Sequence, residues 1–383
     1  MNASLVIVGG GPVGLAFALA ASRLPNVDVT VVERSTATTP VPADGYDHRV
    51  YALSPASLAF LSELGAAPEP ARASAVRAMQ VWSDDGKNKL DLAKGSPIAT
   101  IVEYAAMMTA LEQAVARTDH VRMLCGAVPQ ALSTNTGRRE LAMQDGSVLA
   151  ADLLVGADGS RSQIREWAGI SVESTDYESD GVVANFHCQF AHGDVARQWF
   201  TNDAVLAYLP LPQQQISIVW SVTKAKSANL RALTDADFCV AVEAAGHSAV
   251  GKLTLASPIA RFPLARVIAH HCVETGLALI GDAAHAVHPL AGQGVNLGFA
   301  DARTLFRMLS ERSRFSAIGD HAVLRKYARA RRESTIALGE VTHNLLALYR
   351  NEGQVARWLR NDGLSILNHL PHAKAALIDY AIS

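Results

Sequence analysis

Gly9-Gly10-Gly11-Pro12-Val13-Gly14 has the spacing G-x-G-x-x-G, and the chemistry that spacing serves is capture of a diphosphate. In that reading Gly9 permits a tight turn and Gly11 lets the backbone approach the phosphates, while Gly14 lets a helix pack closely on the strand before it. The bare N–H groups and positive end of that helix then face the anion. Glu33 follows Gly14 by about twenty residues, where an acidic side chain accepts hydrogen bonds from ribose hydroxyls. Its charge repels a 2′-phosphate, so NADP is disfavoured in this pocket. Arg34, the next residue, belongs to the same pocket. By itself the glycine pattern is weak, and the elements around it decide the matter.

Two further constellations follow. Gly156-Ala157-Asp158-Gly159-Ser160-Arg161-Ser162 ends one apolar strand and opens a helix, and taken alone it reads equally well as a plain strand–turn–helix corner. Leu279-Ile280-Gly281-Asp282-Ala283-Ala284-His285 ends another, and Asp282 is suited to bind the hydroxyls of a sugar-alcohol chain. After it comes His288-Pro289-Leu290-Ala291-Gly292-Gln293-Gly294-Val295-Asn296. Gly292 and Gly294 leave backbone N–H groups bare before a helix expected to start near Asn296, a place that stabilises negative charge. His285 and His288 are three apart, but no third ligand or carboxylate set accompanies them, so no metal site is expected.

The elements that must position these residues are legible. Leu5–Val8 is short and wholly apolar, which suits a buried parallel strand. Pro12 lies just inside the helix Val13–Arg23, where a missing N–H costs nothing. Val27–Glu33 alternates as a second strand, completing a βαβ unit. Thr36–Asp47 reads as a loop and Ser54–Leu64 as a helix capped by its serine. Strands are expected at Ala78–Ser83 and Lys89–Leu92, joined by a turn at Asp84-Asp85-Gly86. A helix is expected at Ala105–Ala116, and a hairpin at Asp145-Gly146 leads to the strand Asp152–Ala157. From about 176 to 265 the chain turns β-rich, with strands at Val182–Phe190, Ala204–Leu209 and Ile216–Val222. Beyond Asp301 it becomes helical.

Composition narrows the class. The chain has 383 residues, 49% hydrophobic and 18% charged, enough for more than one packed unit. Its formal net charge of -2 gives no basic field for nucleic acid. The cysteines, Cys125, Cys188, Cys239 and Cys272, form no CxxC pair, which argues against metal ligation and a disulfide framework and fits a reducing cytosol. Met1-Asn2-Ala3-Ser4 has no basic region and no cleavage pattern, so no signal peptide is expected. Leu5–Ala21 is interrupted by glycines and a proline, which argues against a membrane span. The expectation is a soluble, cytoplasmic protein.

Three motifs in this order carry a resemblance. With Gly9 to Gly14, Glu33, Arg49, Gly156 to Arg165 and Gly281 to Asp301, the chain resembles the group A flavoprotein monooxygenases of the para-hydroxybenzoate hydroxylase fold. Within them it is similar to the ubiquinone-biosynthesis hydroxylase branch. Leu209-Pro210-Leu211, Ser217-Ile218-Val219-Trp220 and Leu359-Arg360-Asn361-Asp362-Gly363-Leu364 add to the likeness, which runs nearly end to end. Tyr104 and Met107 depart from it, standing where the branch more often has Asn and a longer polar residue. The chain also ends at Ser383, where many relatives continue.

The resemblance implies an α/β fold. An FAD-binding Rossmann-like domain on a mainly parallel sheet (1–75, 100–175, 266–320) would carry an inserted β-rich substrate domain (76–99, 176–265) and a helical C-terminal region (321–383). It implies FAD as cofactor, contacted by Arg49 near the diphosphate, by Asp282 at the ribityl chain, and by Pro289, Gly292, Gln293, Gly294, Val295 and Asn296 beside the isoalloxazine. His288 would stand near that ring, and His285 would be structural. Asp158, with Gly159 and Arg161, matches a motif tied to both FAD and NAD(P)H. The implied reaction is hydroxylation of an aromatic ring: NAD(P)H reduces FAD, O2 adds at C4a, and the hydroperoxide delivers the hydroxyl to a polyprenyl phenol. A small soluble aromatic substrate, or a non-catalytic flavin-bearing role in a quinone-biosynthesis complex, stay open.

No second glycine fingerprint marks a nicotinamide domain, so a reductant would bind transiently or be another protein. Trp199 and Trp220 are candidates to line the substrate cavity, with core packing as the alternative. Arg325, Lys326, Arg329, Arg331 and Arg332 lie on one predicted helix. A solvated face is their default, and docking to an anionic inner membrane face or to a partner is the sharper reading. Trp358, Leu359, Leu364, Ile366, Leu367 and Leu370 are expected to pack or to meet an interface. A homo-oligomer stays open.

Overall fold

The first crossover forms as its residues demand. Strand β1 (Ala3–Val8) is buried along Leu5–Val8, helix α1 (Pro12–Ala21) has its proline in the first turn, and strand β2 spans Val27–Glu33. The structure is a computed structural model that describes residues 2–36, 40–82, 89–93, 96–201, 203–287 and 294–332.

β1 lies between strands that are distant in sequence. Leu5 pairs with Val29 of β2 on one side and with Leu153 on the other, both in parallel register. Among the described residues the sheet has six strands, in the order Val273–Glu274, Leu277–Leu279, Leu153–Gly156, β1, β2, Val121–Cys125. Its pairs are parallel except the outermost, Val273–Glu274 with Leu277–Leu279. α1 is buried from Gly14 to Ala21 and packs against helices Tyr104–Ala116 and Gly294–Ser310 over the main apolar core. Helix Pro55–Glu63 begins where the serine predicts, with the Ser54 hydroxyl accepting from the Ser57 N–H. Asp145-Gly146 turns the hairpin between Arg138–Met143 and Val148–Ala151.

The second large sheet has nine strands among the described residues. Its path runs His285–Ala286, Ala260–Ala269, Val172–Cys188, Gln215–Thr223, Ala204–Leu211, Val195–Phe200, Ala78–Trp82, Lys89–Ala93, with Leu253–Leu255 also paired to Val172–Cys188. All its pairs are antiparallel except Val195–Phe200 with Ala78–Trp82. The long strand starts ten residues before the predicted Val182, since Val172–Gly181 is mostly polar and carries no apolar alternation. The register shift between Asp176 and Ser179 further breaks the pattern there. Pairing with Ala260–Ala269 continues on both sides of that shift.

Each face of this sheet has its own core. On one, Trp199, Tyr208 and Trp220 pack against Phe238 of helix Asp235–Ala245, whose start is marked by Thr234 capping Asp237. On the other, Ile98, Ile101, Phe200 and Leu264 cluster with Val76. Residues 321–332 are helical, and the rest of the predicted C-terminal helical region, with Trp358, Leu359, Leu364, Ile366, Leu367 and Leu370, lies outside the described residues. So do the turn Asp84-Asp85-Gly86 and the segment from His288 through Gln293. Among the described residues no helix is long and apolar enough to cross a membrane.

Candidate functional site

The C-terminal ends of β1, Leu153–Gly156 and Leu277–Leu279 open on one cavity of about 1140 Å³, which reaches across to the nine-stranded sheet. Open α/β sheets place ligands at this edge. The glycine turn forms its first wall. Gly9 has φ +110°, and a Cβ there would stand 2.3 Å from the Ala157 carbonyl oxygen. A Cβ at Gly14 would stand 2.0 Å from the Gly9 oxygen, so helix and turn are in backbone contact. Gly11 differs, since a Cβ there would meet nothing within 4 Å, and the residue lines the cavity with Pro12 and Val13. No side chain caps α1 at Gly11. The orphan N–H groups of the first turn are thus left for a ligand, and a Cβ at Gly11 would fill the space a diphosphate needs.

Glu33 and Arg34 line the same cavity. The Glu33 carboxylate accepts from the Gly10 N–H at 2.7 Å and the Ser35 N–H at 2.8 Å. Two oxygens with about four acceptor sites retain capacity for ribose hydroxyls after those contacts. The group therefore fits a dinucleotide whose ribose carries free hydroxyls.

The second motif is a braced corner. Asp158 accepts from the Ser162 hydroxyl at 2.5 Å and the Ile164 N–H at 3.1 Å, so its carboxylate holds the turn into helix Gln163–Trp167. Gly159 has φ +83° and leaves open space around it. Arg161 is exposed and lines the cavity with Asp158 and Gly159. Arg165, the last residue of the stretch that begins at Gly156, is buried and donates to the Ala283 and Ser160 carbonyls, both at 2.9 Å. It ties the second motif to the third.

In the third motif Gly281 has φ +60° and Asp282 extends into the cavity. The Asp282 carboxyl is reachable from that space but ringed by protein. Burial raises its pKa, nearby His285 opposes the rise, and Asp301 adds to it. Gly294 and Val295 also line the cavity. Asn296 is buried, with its amide spent on the chain: Oδ1 accepts from Ser54 N and Nδ2 donates to the Ala52 carbonyl. It locks helix Gly294–Ser310 onto strand Val50–Leu53. His285 is buried, and its Nε2 lies 2.6 Å from Asp301 Oδ2. Among the described residues no cluster could hold a metal ion.

Arg49 reaches the cavity from a pinned loop. Asn185 Nδ2 donates to the Tyr46 and Asp47 carbonyls, and buried Glu103 accepts the Asp47 N–H at 2.5 Å. Arg72 Nε stands 2.5 Å from the other Glu103 oxygen. The Arg49 guanidinium then lies over the Tyr104 ring, 3.8 Å from its centre. Tyr104, a departure from the branch pattern, thus serves as a platform for Arg49, while Met107 is wholly buried in the core. Tyr51 also lines the cavity, and burial together with the Asp282 charge pushes its hydroxyl up to about 12. It stays a neutral donor at any physiological pH. A tyrosine in a short strand offers no sequence signal for that role.

Trp199 and Trp220 require a correction. Both are 3% exposed and lie in the core cluster on the far face of the sheet, Trp199 stacked on Trp82 with centroids 5.0 Å apart. Side chains alternate along a strand, so the neighbours Gln198 and Val219 face the cavity instead. Arg331 is likewise drawn out of the solvated basic face. Its Nε lies 2.6 Å from Asp301 Oδ1, while Arg325, Lys326, Arg329 and Arg332 are exposed.

Comparison with known proteins agrees with this geometry. Residues 2–340 match the family described as FAD binding domain. The chain is 32% identical to the 3-demethoxyubiquinol 3-hydroxylase of Escherichia coli, over 99% of this chain and 98% of that protein. It is 30% identical to the mitochondrial ubiquinone biosynthesis monooxygenase COQ6 of Drosophila melanogaster, over 97% of this chain and 87% of that one. In fold it is similar to the p-nitrophenol 4-monooxygenase PnpA of Pseudomonas putida, with a TM-score of 0.79 at 17% identity, covering 100% of this chain and 98% of that one. The chain belongs to this FAD-binding family of monooxygenases, and FAD is its cofactor.

Proposed function

We propose that the chain hydroxylates the aromatic ring of a polyprenyl phenol or quinol in ubiquinone biosynthesis, with NAD(P)H as reductant and O2 as co-substrate. One observation carries the choice of substrate: the cavity is apolar where the nine-stranded sheet lines it. Cross-strand pairing sets Gln198, Ala207, Val219, Val183 and Ala260 in one row along its floor. Small residues there leave room for a ring and a chain. Arg197 also borders the space, but its guanidinium turns to the His192 and Val195 carbonyls. Gln198 is therefore the polar side chain in this row among the described residues, and it carries no charge to hold a carboxylate. A small aromatic acid would want a buried cation in its place. The activities for which the two sequence relatives are named point the same way.

In this reading Gly9 to Gly14, Glu33 and Arg34 hold the adenosine diphosphate half of FAD, Arg49 meets the diphosphate, and Asp282 with Tyr51 binds the ribityl chain. Gly294 flanks the ring system, while Pro289, Gly292 and Gln293, which the resemblance assigns to it, lie outside the described residues. The nucleotide part would comprise 1–75, 100–175 and 266–320, and the substrate part 76–99 and 176–265. Arg161 and Gly159, at the open side of the cavity, would meet the reductant transiently. When bound, FAD supplies the reduction of O2 and the transfer of oxygen. The chain holds the ring against it and keeps water out. Deletion of the gene is expected to cause one under-hydroxylated quinone precursor to accumulate. This chain should clear it and an Asp282→Ala chain should not, whereas unchanged quinone lipids would reject the proposal.

A lipid substrate calls for contact with the bilayer, and the exposed Arg325, Lys326, Arg329 and Arg332 provide a basic face for it. Sedimentation with vesicles rich in phosphatidylserine should carry the protein down at low salt and release it at about 0.5 M NaCl, where charges are screened within a few ångströms. Equal binding to neutral vesicles would rule this face out.

A further inference from the structure

The helix of residues 321–332 grips the strand and turn that present Asp282. Tyr327 is buried, and its hydroxyl donates to the Leu279 carbonyl at 2.9 Å, at the end of strand Leu277–Leu279. One helical turn later, Arg331 Nε donates to Asp301 Oδ1 at 2.6 Å, and its Nη2 reaches the Leu297 carbonyl at 3.3 Å. Asp301 is fully buried in helix Gly294–Ser310, and its second oxygen takes the Gly281 N–H at 2.9 Å and His285 Nε2 at 2.6 Å. Of the three residues between Gly281 and His285, Asp282 is the one that lines the cavity. Gly298 closes the group: a Cβ there would fall 2.4 Å from Val13 and 3.3 Å from the Gly281 Cα. The turn is therefore held at Leu279 by Tyr327, and at Gly281 and His285 by Asp301, which Arg331 holds in its turn.

Charge supports the same arrangement. Burial alone would raise the Asp301 carboxyl, but His285 and Arg331 outweigh it and keep its pKa low. Burial alone would lower His285, and Asp301 outweighs that in turn. Asp301 is thus a buried carboxylate held between His285 and Arg331, and Asp282 adds to the rise at His285. Removing Arg331 takes one of these two partners from Asp301 and frees the carboxylate to rotate away from Gly281.

We infer that Arg331, acting through Asp301, is a positioning residue for the Gly281–Asp282 turn, so that docking of the C-terminal helix and retention of the riboflavin half of FAD are coupled. This rests on the reading that Asp282 binds FAD. It separates the two halves of the cofactor: ADP would use the glycine turn and Glu33, which Arg331 does not touch, whereas FAD also needs the Asp282 turn. A residue that merely stabilised the fold would move both ligands together.

The test uses the full chain stripped of FAD, with FAD and ADP titrated into wild type, Arg331→Met, Arg331→Lys, Tyr327→Phe and His321→Gln. Arg331→Met should raise the Kd for FAD about tenfold, the loss expected of one charge-assisted contact, and leave that for ADP unchanged. Arg331→Lys should recover most of the loss. Tyr327→Phe, which removes one hydroxyl and opens no cavity, should show a smaller loss with the same split. His321→Gln, at an exposed position on the same helix, should match wild type. Unaltered FAD binding in Arg331→Met and Tyr327→Phe, or an equal loss of ADP in either, would overturn the inference. Should Arg331→Met fail to fold, Tyr327→Phe decides it alone. An Asp282→Ala chain that binds FAD like wild type would instead sink the reading of the site, and is scored separately.

Discussion

A Gly14→Ala chain is expected to purify without FAD. The added methyl would stand 2.0 Å from the Gly9 carbonyl oxygen, and the obstacle is backbone rather than a side chain that can swing aside. Gly9 cannot retreat, because it is itself in close approach to the Ala157 carbonyl and holds φ +110°. Relief requires α1 to move off the turn by roughly 1 Å or more, and overpacking of this kind costs about 1–3 kcal/mol. The same movement scatters the N–H groups that face the diphosphate, so the Kd for FAD should rise about 100-fold or beyond. Flavin absorbance of the purified protein and titration of added FAD check this. Gly11→Ala makes the contrast: nothing crowds its Cβ, so folding should be normal and FAD weaker through obstruction alone. Wild-type FAD affinity in Gly14→Ala would mean that another part of the chain holds the diphosphate.

The largest effect on stability is expected at Glu103. Its carboxylate is wholly buried, takes the Asp47 N–H and faces Arg72, whose guanidinium also lies over the Tyr46 ring. Burial raises the Glu103 pKa, and the Asp47 N–H and Arg72 hold the rise in check. Glu103→Ala would strand a mostly buried guanidinium and an N–H group, a loss of about 3–5 kcal/mol for a broken interior pair. Urea denaturation should register it as a lower midpoint. Since the same carboxylate pins the loop that carries His48 and Arg49, FAD affinity should fall as well. Glu103→Gln keeps an acceptor for Asp47 and should cost less. Equal midpoints for wild type and Glu103→Ala would show that the pair contributes nothing net.

The parts of this site legible in sequence are those whose physics is local. A glycine turn between a buried strand and a helix with Pro12 at its start is specified within the fourteen residues that contain it, and β2 forms over the predicted Val27–Glu33. Ser54 marks its helix start for the same reason. What could not be read depends on pairing between distant segments. Trp199 and Gln198 are neighbours in sequence and lie on opposite faces of a sheet, and composition favours the wrong one, because a large aromatic looks like a ring-binding residue while a glutamine does not. Asp301, His285 and Arg331 share one buried contact, yet no periodicity links positions 285, 301 and 331. Arg331 sits in a run of basic residues whose other members face solvent, so the run as a whole reads as surface. The role of Arg165 was hidden likewise, visible only once the Ser160 and Ala283 carbonyls are brought together.

The interleaving of the parallel sheet bears on how the protein is made. β1 leaves the ribosome well before its partner Leu153–Gly156 and the next strand, Leu277–Leu279. Until then β1 has an unpaired edge, and the nascent chain exposes an apolar strand that invites association with other chains. The wall that bears Asp282 arrives last, so no fragment ending before about residue 280 can close the pocket. Flavin loading must therefore be a late event in biogenesis, and a holdase that shields the early segment should raise the yield of yellow protein more than extra riboflavin in the medium.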